Sequence, residues 1–152
     1  MKLFCLFLII SFGVIPVFTI NSRGDQGNVE VIVDNSGSSN FSGYRVIIEA
    51  DGQVKVMDHG RSSINSAYKN GQYTLPVQVV RKLFSDLEAV MPLSGLESIG
   101  CAKSASFGTT TFVTYKGQTS PDIQCMKSEA FIKDISQIML AIPRAQIGVK
   151  MP

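Results

Sequence analysis

Three observations predict an α+β fold, an antiparallel sheet of about five strands with two amphipathic helices packed on one face. Runs of period two at 28–34, 44–49 and 53–57 read as half-buried strands. Asp51-Gly52 and Lys116-Gly117 punctuate strand-like runs at the points where hairpins turn. Two later segments carry apolar residues at helical spacing: Val80, Leu83, Phe84, Leu87 and Val90 in one, Phe131, Ile132, Ile135, Ile138, Met139 and Ile142 in the other. Two stripes on one sheet face leave the opposite face to solvent or to a partner.

The elements follow in order. Lys2 and the apolar run 3–20 have the form of an export signal, with cleavage expected before Arg23. An uncleaved anchor is the alternative, since the run is close to the roughly 17 to 25 residues that cross a bilayer. Segment 1–22 is therefore assigned to the signal, 23–43 to an N-terminal strand and flexible loop, 44–143 to a single domain, and 144–152 to a tail. In the first strand Val29, Val31 and Val33 share one face, and Glu30, Ile32 and Asp34 share the other. The small polar stretch 35–40 follows, and Asn40-Phe41-Ser42 matches the N-glycosylation acceptor pattern, which matters only in a source that glycosylates.

For the hairpin around Asp51-Gly52, a two-residue turn would mix apolar and polar residues on each face. A three-residue loop with Gly52 as a left-handed bulge sets Ile48 opposite Val54 and Val46 opposite Val56, with Tyr44 on the same face. Arg45, Glu49, Gln53 and Lys55 then point outward, joined by Ile47 and Met57 as diagonal neighbours. These two form a candidate contact patch. A short strand at 72–75 leads into the first helix. Pro76 is expected at its first position, Thr74 or Leu75 at its cap, and Pro92 as its stop. The strand 109–115 turns at Lys116-Gly117 into 118–125, where Pro121 confines pairing to a short edge strand. Ser128 is the expected cap of the second helix, and Pro143 ends it.

Composition narrows the function classes. The 152 residues carry 14 lysines and arginines against 12 acids, and removal of 1–22 leaves 13 against 12. Such balance removes the electrostatic argument for nucleic acid, which needs a basic face to displace counterions, and it gives no reason to expect an anionic membrane as partner. A membrane enters only if the N-terminal segment stays uncleaved. Past the signal, Cys101 and Cys125 are the two remaining cysteines, and in a secreted or periplasmic protein an even count predicts a disulfide. Their spacing is not C-x-x-C, and a zinc site would need further ligands from a chain with one histidine, so no metal and no cofactor is expected.

The hairpin Gly43-Tyr44-Arg45-Val46-Ile47-Ile48-Glu49-Ala50-Asp51-Gly52-Gln53-Val54-Lys55-Val56 resembles the opening hairpin of a family of exported bacterial domains of unknown function. Gly71-Gln72-Tyr73-Thr74-Leu75-Pro76 ahead of a long helix, the threonine-rich strand and the terminal helix follow that family's order over 44–142. Gly43 stands where the family places a proline. The resemblance implies an exported α+β domain and carries no catalytic residues.

His59 is the one side chain suited to acid–base work near neutrality, and it adjoins Asp58, with Ser62 and Ser63 downstream. Neighbours on a strand point to opposite faces and no G-x-S-x-G elbow is present, so a surface histidine is the plainer account. Glu49, Asp51, Asp86 and Glu88 fall at a hairpin tip and on a helix's solvent side. Arg23-Gly24-Asp25 reproduces the integrin tripeptide beside the expected new terminus, where a free end lacks the constrained loop adhesion needs. The sequence therefore predicts a noncatalytic exported binding module for a protein or envelope component. Its alternatives are a small hydrolase using His59 and a protein that holds an apolar ligand between sheet and helices.

Overall fold

A computed structural model describes residues 29–59, 67–104, 108–127 and 129–143. The signal segment 1–22, the Arg23-Gly24-Asp25 tripeptide, Ser62, Ser63, the Ser128 cap and the tail 144–152 lie outside the described residues.

Six strands form one antiparallel sheet: β1 (Glu30–Asn35), β2 (Tyr44–Glu49), β3 (Gln53–Asp58), β4 (Gly71–Thr74), β5 (Thr111–Tyr115) and β6 (Gln118–Thr119), in the order β4-β3-β2-β1-β5-β6. The fold is α+β as expected. The sixth strand, β6, is two residues long on the edge, because Pro121 offers no N–H to continue the ladder. Segment 23–43 contributes β1 to the middle of the sheet, bonded to β2 on one side and β5 on the other, so it is integral to the domain.

The β2–β3 hairpin adopts the three-residue register, with Ile48 opposite Val54 and Val46 opposite Val56. Gly52 has φ +96°, its N–H donates to the Glu49 carbonyl at 3.0 Å, and a Cβ there would meet the Leu75 carbonyl oxygen at 2.6 Å. Both conformation and space demand glycine at this position. At the other hairpin Lys116 and Gly117 have φ of 48° and 72°, the mirror-image turn that suits a two-residue connection.

Helix α1 (Val77–Ala89) and helix α2 (Ala130–Ala141) pack on one another and on the same sheet face. Helix α1 starts one residue later than expected. Pro76 is its N-cap, with ψ 127°, and its carbonyl accepts from Val79 N–H at 3.0 Å, while no side chain caps the end. Beneath the helices Val31, Val33, Val46, Ile48, Val54, Val56 and Val113 meet Val80, Leu83, Leu87, Phe131, Ile135, Ile138 and Ile142, all buried. Each such side chain removed from water stabilises the fold by roughly 1.5–3 kcal/mol before the entropy of ordering it is counted. Val29 departs from its alternation, since it precedes β1 and is exposed.

Polar contacts tie the layers together. Lys82 Nζ reaches the buried Asp134 carboxylate at 2.8 and 2.9 Å and Asp86 at 2.7 Å, joining α1 to α2. The Tyr115 hydroxyl donates to Glu88 at 2.6 Å, and Lys116 pairs with the same carboxylate. Cys101 and Cys125 stand at disulfide distance, Cα–Cα 5.3 Å, and link the loop before β5 to the turn that precedes α2.

Candidate functional site

The sheet face turned away from the helices is the first candidate, and its layout follows from the register. One row across four strands reads Met57, Arg45, Asp34, Phe112. The next same-face row reads Lys55, Ile47, Ile32, Thr114. Ile47 and Met57 are diagonal neighbours as expected. The pairing adds two residues that local reading did not reach: Ile32, directly opposite Ile47, and Phe112, opposite Asp34 and 38% exposed. Ile32 had a local signal, an apolar residue on the polar side of an alternating strand. Phe112 had none until β5 was placed beside β1.

Between Met57 and Phe112 lies a polar group. Asp34 accepts from Arg45 Nε at 2.9 Å and also pairs with its Nη2, while its other oxygen lies 2.8 Å from His59 Nε2. Partial burial would raise the Asp34 pKa, but the hydrogen bonds from Arg45 and His59 outweigh it and hold the carboxyl below its usual range. The sequence set His59 beside Asp58; the structure instead pairs it with Asp34, 25 residues upstream: the main-chain N–H of His59 donates to the Gly43 carbonyl at 2.9 Å, which holds the end of β3 against the start of β2, and the ring reaches past β2 to Asp34 on β1.

The same corner forms an open groove of about 730 Å³ along the loop 36–43. The loop is pinned rather than loose. Asn35 Oδ1 accepts from Gly37 N–H at 2.9 Å, Asn35 Nδ2 donates to Thr111 Oγ1 at 2.7 Å, and Ser36 N–H donates to the Thr110 carbonyl at 2.9 Å. A Cβ at Gly43 would come within 2.4 Å of the Asn35 carbonyl oxygen, so glycine, and not a proline, fits where β2 begins.

Asp122, Glu88 and Asp86 have structural partners. Asp122 pairs with Lys103 and accepts main-chain N–H bonds from Thr111 at 3.0 Å and Gln124 at 3.2 Å. Burial opposes these bonds without cancelling them, and its pKa is lowered. Glu88 and Asp86 are likewise lowered, by hydrogen bonds from Lys116 and Tyr115 in one case and from Lys82 in the other. Among the described residues no group of histidine, cysteine and carboxylate side chains could hold a metal ion, and no helix is long and apolar enough to cross a membrane.

The second candidate is a cleft of 380 Å³ between α2 and the covered face of the sheet, walled by Val33, Tyr44, Tyr68, Ile132, Ile135 and Met139. The Tyr44 and Tyr68 rings meet edge to face there, with centroids 4.8 Å apart. Burial pushes the Tyr44 hydroxyl up to about 12, so it is a neutral donor at every physiological pH. No family model, no curated protein and no solved structure matches this chain.

Proposed function

We propose that the protein is an exported, noncatalytic binding module that docks a protein or envelope component on the open face of its sheet. The observation that carries this reading is the juxtaposition of Ile32, Ile47, Met57 and Phe112 around the Arg45–Asp34 pair, on a face that no element of the described domain covers. Aromatic, methionine and arginine side chains are the types enriched at the centres of protein interfaces, and lysine and glutamate are depleted there. On this face Lys55, Glu30 and Glu49 flank the apolar pair rather than interrupt it. The partner would present an apolar patch beside groups that complement the exposed edges of the Arg45–Asp34 pair.

Export is part of the same proposal. It rests on Lys2 and the apolar run 3–20, on the hairpin's resemblance to exported bacterial domains, and on a disulfide that suits an oxidising compartment. Cleavage before Arg23 releases the domain to the periplasm or medium; retention of the segment anchors it.

The test is quantitative capture from the source's envelope fraction by the oxidised protein and by an Ile47→Ser/Met57→Ser variant. Both positions are partly solvent-exposed, so the variant is expected to fold. Saturable capture that the double substitution weakens by about tenfold or more supports the reading. Equal retention by both proteins overturns it.

A further inference from the structure

We infer that the cleft between α2 and the covered sheet face is a binding site for a small uncharged amphiphile, an apolar body with one hydrogen-bonding end. The site is independent of the open face. Its volume, 380 Å³, lies within the span of small-molecule pockets, roughly 300–1,000 Å³. Its walls are aliphatic and aromatic, with Ile135 and Met139 from α2 facing Val33 and Tyr44 from the sheet.

Chemistry at the two ends sets the ligand class. A second depression of about 300 Å³ adjoins the cleft, shares Tyr44, Tyr68 and Gln124 with it, and adds the amide and hydroxyls of Asn35, Ser42 and Thr109. An elongated molecule lying across the tyrosine pair would place its apolar body against α2 and its polar end among these groups. Among the described residues, neither lining contains a charged side chain. The Lys103 ammonium approaches Gln124 Oε1 at 3.2 Å but is committed to Asp122. A charged ligand would lose its hydration and find no counter-ion among the described lining residues, so the site favours neutral molecules. The Tyr44 hydroxyl forms no hydrogen bond with the described residues and stays protonated, leaving one donor available at the junction of the two depressions.

The same argument disfavours the chain's own C-terminal residues as occupants. Residues 144–152 bring Arg144 and Lys150, for which the linings offer no acid.

A matched pair of probes tests the inference: para-pentylphenol, which is neutral at pH 7, and para-pentylbenzoate, which is anionic. Each is titrated into the oxidised, isotope-labelled protein and followed by amide chemical shifts. Expected are saturable shifts on α2 and around Tyr44 with the phenol, and affinity about tenfold or more weaker for the benzoate. Tyr44→Phe should weaken the phenol by about fivefold, the worth of one hydrogen bond. Ser136→Trp, at an exposed position on the rim, should block the cleft and abolish the shifts. Should that variant misfold, Leu140→Arg, at a rim residue 71% exposed, takes its place. Equal affinity for the two probes overturns the neutral-ligand assignment. Shifts that are absent, or that survive both rim variants, overturn the site. Shifts that appear only after removal of 144–152 give the cleft to the chain's own tail. An Ile47→Ser/Met57→Ser variant should bind the phenol unchanged, which separates this site from the open face.

Discussion

Ile47 and Ile48 are neighbours on one strand and chemically identical, yet they belong to different environments. Ile48 lies under the helices with no exposed surface, opposite Val54 and Val31. Ile47 lies on the open face, opposite Ile32 on one side and Lys55 on the other, and is only partly buried. The contrast extends across the sheet. The centre of the covered face is valine and isoleucine, with tyrosines towards its edges, which seals it against the two helices. The open face mixes four apolar side chains with a buttressed ion pair. One face is a core; the other carries partly exposed apolar side chains beside an ion pair, the arrangement on which the proposed docking rests.

The contrast is broken or sharpened first at this pair. Ile48→Ala should cost about 4 kcal/mol, since it removes buried methylenes and leaves a cavity that close-packed neighbours cannot fill. Ile47→Ala should cost about 1 kcal/mol or less, the scale of strand preference and partial burial. Urea unfolding of both variants reads the difference. Equal costs would mean that something covers the open face in the isolated protein.

The next effect concerns what holds the covered layer in place. The Cys101–Cys125 link joins the loop before β5 to the turn that leads into α2, and Ile99 N–H donates to the Cys125 carbonyl at 2.8 Å across the same seam. Replacing both cysteines by serine should lower stability by about 3 kcal/mol on the chain-entropy account of a loop this long. Amide shifts should move around 96–104, 122–127 and the start of α2, with Ile32, Ile47 and Met57 unmoved. Shifts that spread to the open face would show that the two faces are coupled through the sheet.

The fold was largely legible because its strongest determinants are local. Gly52 fixes the β2–β3 register by its positive φ, and the stripes from Val80 to Val90 and from Phe131 to Ile142 fix which helix faces are buried. Boundaries were read less well. Pro76 tolerates both the cap and the first helical position, so sequence could not choose between them. The site was legible only in part. Ile47 and Met57 belong to one hairpin, whereas Ile32 and Phe112 join them through the pairing of β1 with β2 and β5, which no local pattern encodes. His59 shows the same limit. Sequence proximity favoured Asp58, but the partner that meets the ring, Asp34, lies on a strand two positions away in the sheet. The alternation that placed Val29 inside likewise failed where the strand had not yet begun.

The smallest effect probes the polar centre of the open face. Asp34 is held below its usual 3.8 although burial pulls the other way, because Arg45 and His59 both hydrogen-bond to it. A carboxyl whose folded pKa is lowered adds stability above its unfolded value, and that contribution disappears as pH falls through the folded value. Asp34→Asn should therefore leave the protein about 0.5 kcal/mol less stable at pH 7, the scale of partly exposed ion pairs, and the difference should shrink as pH falls below 3.8 and through the lowered folded value. The urea midpoint should fall less steeply between pH 5 and pH 2 in the variant than in the parent, with Asp86, Glu88 and Asp122 supplying the slope that remains. If the two slopes are the same, Asp34 is not held by Arg45 and His59 in solution, and the open face loses the polar centre that distinguishes it from an ordinary solvated sheet.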